Sequence, residues 1–370
     1  MKIVQTPARF FPSIGGVQKY VSDLSFQLLD QGHQVTVICA DEPHSDSIWV
    51  GNIKVVRLPY LFKIANTNIT ISLLWRLMKE EFDLIHTHFP TPWSAEISLI
   101  CAKIKKKPCV LTYHNDVDKS GLLGLFSELY NRTSLFLLLA NVDKILITQP
   151  RYVKDSRFLD RYKNKITIIT NGVNELPPIN KQKQENSTLL FVGVLDQHHR
   201  YKGLEYLIES VTILKDKWPD IRLEIVGQGE LVDEYRELTV KLNLEDRIYF
   251  YGYVDDQKLS EIYQKCSIFV LPSIDLHEGF GIVLIEAMAR SLPVITTDVV
   301  GLSEEIRNHH TGCVIPPKDP SAIAAAVNLL LSDPQKARKF GENGRNLIKQ
   351  KYLWKDISRN LVNIYEELLR

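Results

Sequence analysis

The sequence is poor in cysteine, has no long apolar run and carries almost no net charge. Its five cysteines, Cys39, Cys101, Cys109, Cys266 and Cys313, are odd in number and include no Cys-x-x-Cys pair. That excludes a disulfide framework and argues against a structural zinc site. They read as buried, reduced thiols, in keeping with an expected cytoplasmic location. No stretch reaches the ~20 apolar residues that span a bilayer; the richest, 135–140, is closed by Asn141 and Asp143. The opening MKIVQTP runs straight into a strand-like segment without the apolar region of a secretory leader. The Asn-x-Ser/Thr sequons at Asn68, Asn131 and Asn186 therefore read as chance matches. Lys and Arg number 45 against 44 Asp and Glu, a net +1 that lacks the basic excess of a nucleic-acid binder, so no nucleic-acid partner is expected. The sum hides an asymmetry: residues 1–175 carry 21 basic and 16 acidic side chains, and residues 176–370 carry 24 and 28.

What is present is a repeated alternation of short β-rich runs with longer helical patterns. In the first half the strand-like runs are KIVQT, 34–40, 53–58, 83–89, 108–114, 144–149 and 165–170, with helical segments at 17–31, 72–81, 93–103 and 122–141. A polar, proline-headed stretch at 177–188 reads as a linker. Strands are then expected at 189–195, 222–227, 247–254, 267–273 and 293–298, with helices at 204–217, 231–242, 257–265 and 282–289. The tail, 354–370, has apolar residues at helical spacing. Length and rhythm predict two doubly wound, Rossmann-like α/β domains, 1–175 and 176–353, with a ligand at the carboxyl ends of the strands, in a central cleft.

Several stretches carry chemistry. Glu278-Gly279-Phe280-Gly281 follows the strand 267–273 and opens a helix that contains Glu286. Glycines at a strand-to-helix junction let backbone approach a ligand, and the exposed N–H groups of a helix start suit phosphate. One carboxylate is placed to meet a sugar hydroxyl and the other to accept from ribose. Taken alone, the same residues also describe a glycine turn with two solvated glutamates. Gly15-Gly16 follows the first strand but is not the six-position dinucleotide fingerprint, so a dehydrogenase is not indicated. Arg200 and Lys202 are cations suited to a diphosphate whose charge grows as it leaves. His114 ends the strand before it, followed by Asn115 and Asp116; a lone histidine there is also read as structural. Asp116-Val117-Asp118 and His86-Thr87-His88 have metal-like spacing but no third ligand, and no metal is expected.

The segment PSIDLHEGFGIVLIEAMA resembles the glutamate-x7-glutamate motif of retaining GT-B glycosyltransferases of family 4. Gly15-Gly16-Val17, Tyr113-His114, FVGVLDQHHRYKG (191–203) and IVGQGE (225–230) match that family in the same order and extend the resemblance over nearly the whole chain. The resemblance implies a GT-B fold whose C-terminal helix, 354–370, crosses back to the N-terminal domain. It implies an N-terminal acceptor domain and a C-terminal donor domain. Lys202, Arg200 and the backbone of Gly279, Phe280 and Gly281 would hold the diphosphate, beside the Gly15-Gly16 loop. Glu278 and His114 would orient the sugar, Glu286 the ribose, and Gly227, Tyr253 and Val254 would frame the base. His88, Asn115 and Asp116 would border the acceptor. The family places an arginine directly after the strand glycine; here that position is Val194, and Arg200 is the candidate replacement.

The expected activity is retaining transfer of a hexosyl-type sugar from a nucleotide-diphosphate donor to a hydroxyl acceptor, lipid-linked or glycan, in cell-envelope or glycoconjugate synthesis. No cofactor is expected. A nucleotide-sugar epimerase or hydrolase, and a non-catalytic sugar-binding subunit permitted by Val194, are the competing readings. Lys103, Lys105, Lys106 and Lys107, with the apolar segment 120–140 and the region 61–78, also suggest peripheral contact with an anionic membrane; a solvated turn and a core helix account for the same residues.

Overall fold

The computed structural model describes residues 1–13, 15–46, 48–64, 67–116, 121–149, 151–178 and 187–370. Asp118, Asn186 and the middle of the expected linker, 179–186, lie outside the described residues. The chain divides into two compact units. The first is Met1–Asn171 together with Trp354–Arg370, and the second is Gly172–Leu353.

The first unit contains, in chain order, β1 (Lys2–Thr6), α1 (Gly16–Asp30), β2 (Gln34–Ala40), β3 (Trp49–Val50), β4 (Ile53–Leu58), β5 (Lys63–Ile64), β6 (Thr67–Asn68), α2 (Leu73–Lys79), β7 (Leu84–Phe89), α3 (Ser94–Lys105), β8 (Cys109–Tyr113), α4 (Gly121–Tyr130), α5 (Phe136–Asn141), β9 (Lys144–Ile147), α6 (Arg151–Asp155) and β10 (Ile166–Ile168). Its main sheet runs β10-β9-β8-β7-β1-β2-β4-β3, parallel except for the β3–β4 pair. Alternate residues feed two cores. Ile3, Val35, Val37, Leu84 and Val110 face α1, whereas Val4, Ile38, Ile85 and Leu111 face the layer that holds α3 and α5. Strands buried on both faces read as nearly continuous apolar runs, which is why most were visible in the sequence. The helix expected over 122–141 is interrupted: a π-helical turn, Asn131–Leu135, separates α4 from α5.

The second unit contains β11 (Thr188–Val192), α7 (Leu204–Leu214), β12 (Arg222–Val226), α8 (Val232–Lys241), β13 (Ile248–Gly252), α9 (Asp256–Lys265), β14 (Ile268–Leu271), α10 (Ile282–Ala289), β15 (Val294–Thr297), α11 (Ser303–Asn308), β16 (Gly312–Ile315), α12 (Pro320–Ser332) and α13 (Pro334–Lys351). Its sheet is wholly parallel in the order β13-β12-β11-β14-β15-β16. The order reverses between β11 and β14, and loops at such a reversal open a crevice at the carboxyl ends of the strands. The last helix, α14 (Trp354–Leu369), belongs to the first unit. Its buried stripe of Trp354, Ile357, Leu361 and Tyr365 packs on α1 and the sheet, pinned by Trp354 Nε1 donating to Asp23 Oδ2 at 3.3 Å.

Candidate functional site

At the strand reversal of the second unit, the loop after β11 meets the loop after β14. The first ends in a short 3₁₀ turn, Gln197–Lys202, capped by Asp196, whose Oδ1 accepts from the His199 backbone N–H at 2.9 Å. Gly203 closes that turn at φ 69°, and a Cβ there would lie 2.3 Å from the Pro272 carbonyl, so the two loops touch only because residue 203 is glycine. Lys202 Nζ donates to Glu278 Oε2 at 2.5 Å, with both side chains nearly buried. Ser273 Oγ stands 3.5 Å from the same oxygen. The Lys202 stem lies across Gly193, where a Cβ would sit 2.8 Å from Lys202 Cδ. The side chain missing from Gly193 is therefore the space that the lysine fills.

Gly281 caps α10 at φ 82°, turning the chain so that the helix start follows directly on Glu278 and Gly279. The Gly279 carbonyl is taken by the Gly301 N–H at 2.9 Å. Glu286, on α10, is half-buried and accepts from the Tyr263 hydroxyl at 3.3 Å. Burial, reinforced by the Glu286 carboxylate, pushes the Tyr263 phenol far above its ordinary range, so it stays a donor. At the other side of β11, Gly227 N–H donates to Gly252 O at 3.0 Å, and Tyr253 beyond it is exposed while Val254 packs partly against the core.

The Phe280 ring is buried, edge-on to Tyr352 with ring centres 6.0 Å apart, so what it can offer the loop is its backbone, the part named from the sequence. Arg200, expected to join Lys202 on the diphosphate, has a carboxylate partner in this structure. Its guanidinium grips both oxygens of Glu234 on α8, at 3.1 and 2.6 Å, and Glu205 lies 3.9 Å away. A planar fork matched to a carboxylate is already satisfied.

In the first unit, His114 follows β8 and is held by its N–H donating to the Phe89 carbonyl at 2.8 Å. Its ring stacks on His88, which stacks on His86. His86 and His88 are fully buried because β7 is central in a parallel sheet, with α1 and α14 covering that face. The expectation that His88 borders an acceptor is thus corrected: the side chain has no surface to offer. His86 is bonded to Thr112 Oγ1 and to the Tyr365 hydroxyl of α14, each at 2.6 Å. Burial lowers the pKa of His86 and of His114 to about 3 and takes His88 well below the ordinary range, so the stack is neutral. Asp116 is half-buried and accepts from the Tyr113 hydroxyl at 2.7 Å, next to half-buried Asn115. Gly15 and Gly16 sit at the start of α1, Gly15 in extended backbone. Among the described residues no three His, Cys, Asp or Glu side chains converge as a metal site.

Sequence reasoning missed the Lys202–Glu278 ion pair, the partners of the histidines, Gln5, Thr112 and Tyr365, and Ser25 behind Gln5. No local signal marks them, since the pairs are up to 279 residues apart.

Residues 14–175 match the family described as Glycosyltransferase Family 4, and residues 173–347 match the one described as Glycosyl transferases group 1. The chain is 28% identical over 384 residues to O-antigen chain mannosyltransferase C of Escherichia coli, covering 100% of this chain and 99% of that protein. It is 29% identical over 358 residues to the D-rhamnosyltransferase WbpZ of Pseudomonas aeruginosa, covering 91% and 88%. In fold it is similar to Anabaena Alr3699/HepE in complex with UDP-glucose, with a TM-score of 0.77 at 19% identity, covering 99% of this chain and 100% of that one.

Proposed function

Because the chain belongs to the GT-B glycosyltransferases of the family 4 type, we propose that it moves a hexosyl-type sugar from a nucleotide-diphosphate donor to a hydroxyl acceptor, with retention at the anomeric carbon. The observation that carries this reading is the Lys202–Glu278 pair set beside the start of α10 at the strand reversal of the second unit. The mannosyl- and rhamnosyltransferase relatives and the UDP-glucose complex of a fold neighbour support the choice of donor class.

The chemistry follows from the charges. Without a ligand, the Lys202 ammonium is neutralised by Glu278. An entering diphosphate competes for that cation, and the released Glu278 carboxylate becomes an acceptor for sugar hydroxyls. Lys202 and the backbone N–H groups at the start of α10 then face the phosphate oxygens, where negative charge grows as the bond to the anomeric carbon breaks. Glu286, already ordered by Tyr263, accepts from ribose hydroxyls. Gly227, Tyr253 and Val254 frame the base, and His114 orients the transferred sugar. Asn115 and Asp116 border the acceptor. Its oxygen bonds to the anomeric carbon on the face the phosphate leaves, and its proton passes to the departing phosphate oxygen. No metal ion is needed for this scheme.

The acceptor is proposed to be lipid-linked or a glycan, met at the cytoplasmic face of a membrane. No helix among the described residues is long and apolar enough to cross one. Instead, Leu61, Phe62, Ile71, Trp75 and Met78 are exposed around β5, β6 and α2, and Lys79 Nζ stands 3.4 Å over the Trp75 ring. An apolar surface with cations at its margin suits anionic lipid. The basic cluster contributes less than expected: Lys103 pairs with Asp143, and Lys105 donates to the Met78 and Glu80 carbonyls.

The test is a reaction of purified protein with UDP-, GDP- and ADP-sugars and a lipid-linked acceptor, followed by nuclear magnetic resonance of the product. The expected product keeps the donor's anomeric configuration. An inverted product overturns retention, and equal donor consumption without acceptor overturns transfer.

A further inference from the structure

The buried polar groups behind His114 form a chain with one possible direction. It is anchored by the Val21 carbonyl, which can only accept. Ser25 Oγ donates to it at 2.6 Å, which uses the single hydroxyl proton. Ser25 Oγ must therefore accept from Gln5, whose Nε2 lies 2.9 Å away. That fixes the Gln5 amide with Oε1 toward His88 Nε2, at 3.0 Å, so His88 Nε2 carries the proton. A neutral His88 then has a bare lone pair on Nδ1. Its neighbour there is His114 Nε2 at 3.4 Å, the longest link, and that nitrogen must be the donor. Gln5, Ser25 and His88 are fully buried, so no water competes for these roles. Tyr20 packs edge-on against both rings, with centres 5.9 and 5.1 Å from His88 and His114, which holds their planes.

We propose that His88, Gln5 and Ser25 are positioning residues that lock His114 in its Nε2–H tautomer, so that the ring offers substrate one polar group, the Nδ1 lone pair. A sugar or acceptor hydroxyl then donates to His114 rather than accepting from it. This rests on the proposed role of His114 toward the sugar. Burial of His86 and His88, and desolvation of the half-buried His114, keep a second proton off the rings, so the lock holds across the working pH range.

The test is a long-range proton–nitrogen correlation spectrum of the ¹⁵N-histidine-labelled protein, which reads the tautomer of each ring directly. The wild-type protein is expected to show His114 protonated at Nε2 and bare at Nδ1. In His88→Leu the ring loses its acceptor, and the expected result is a mixed tautomer with turnover down about tenfold, the scale of one substrate hydrogen bond. His88→Asn, which puts an amide oxygen near the former Nδ1, is expected to restore both. A wild-type His114 that is protonated at Nδ1 or mixed overturns the proposal, as does an unchanged tautomer in His88→Leu. The wild-type spectrum needs no variant to fold. The spectrum is also independent of turnover: absence of sugar transfer would sink the function while leaving the tautomer readable.

Discussion

Lys202 and Arg200 are two residues apart and point to different carboxylates, and that separates their roles. Replacing Lys202 by alanine is expected to cost about 10²-fold or more in kcat, the scale of removing one donor that stabilises developing charge. Arg200→Ala is expected to stay within about twofold, because its fork is engaged by Glu234. Steady-state rates on one donor decide between them, and a loss in Arg200→Ala matching that of Lys202→Ala would reassign the phosphate contact. The histidine stack sets a pH dependence. In the unfolded chain these rings titrate near 6.5, whereas His86 and His114 remain neutral in the fold down to about pH 3. Between those limits the unfolded state binds protons that the native state refuses. Stability is then full above about pH 6.5 and falls as the pH drops toward 3. Calorimetric unfolding at pH 5, in buffers of different ionisation enthalpy, should show net proton uptake, and its absence would contradict the buried neutral state.

Among the elements, the loop after β11 depends on what Gly193 lacks. Gly193→Ala puts a methyl group 2.8 Å from Lys202 Cδ and 3.3 Å from the Phe191 ring. The lysine stem can yield, so the expected outcome is a fold that holds its melting temperature within a few degrees while kcat drops about tenfold. A variant with full activity would show that the lysine does not need that bed. The strands and helices around this loop were legible in the sequence because continuous apolar runs and 3.6-residue stripes survive burial in a parallel sheet. The two-residue strands β3, β5 and β6 were not, being too short for any period. Helices α12 and α13 were also unread, although each begins with an Asp-Pro pair whose aspartate caps the helix. The π-helical turn in the Leu-rich stretch left no mark, since nothing in 131–135 departs from a helical pattern. For the site, Lys202, Glu278, Glu286 and His114 stood out by motif. The Glu234 partner of Arg200 did not stand out, because it lies on another helix.

At the scale of the whole molecule, charge and apolar surface are unevenly shared. The first unit, with its C-terminal helix, carries 24 basic against 18 acidic side chains, and the second carries 21 against 26. The positive unit also exposes Trp75, Leu61 and Phe62. Co-sedimentation with vesicles is expected to require anionic lipid, to weaken as salt rises and to fall severalfold in Trp75→Ser. Equal binding to neutral vesicles would remove the electrostatic part. The return of α14 to the first unit has one more consequence, for synthesis. The second unit is an unbroken stretch, 172–353, inserted into the first. As the chain leaves the ribosome, the first unit emerges first yet lacks the helix that covers Tyr20 and His86. The inserted unit can close on itself, while the earlier one waits with an open apolar face for residues 354–369. A chain cut before residue 354 would leave His86 without its Tyr365 partner and open that face of the sheet to water.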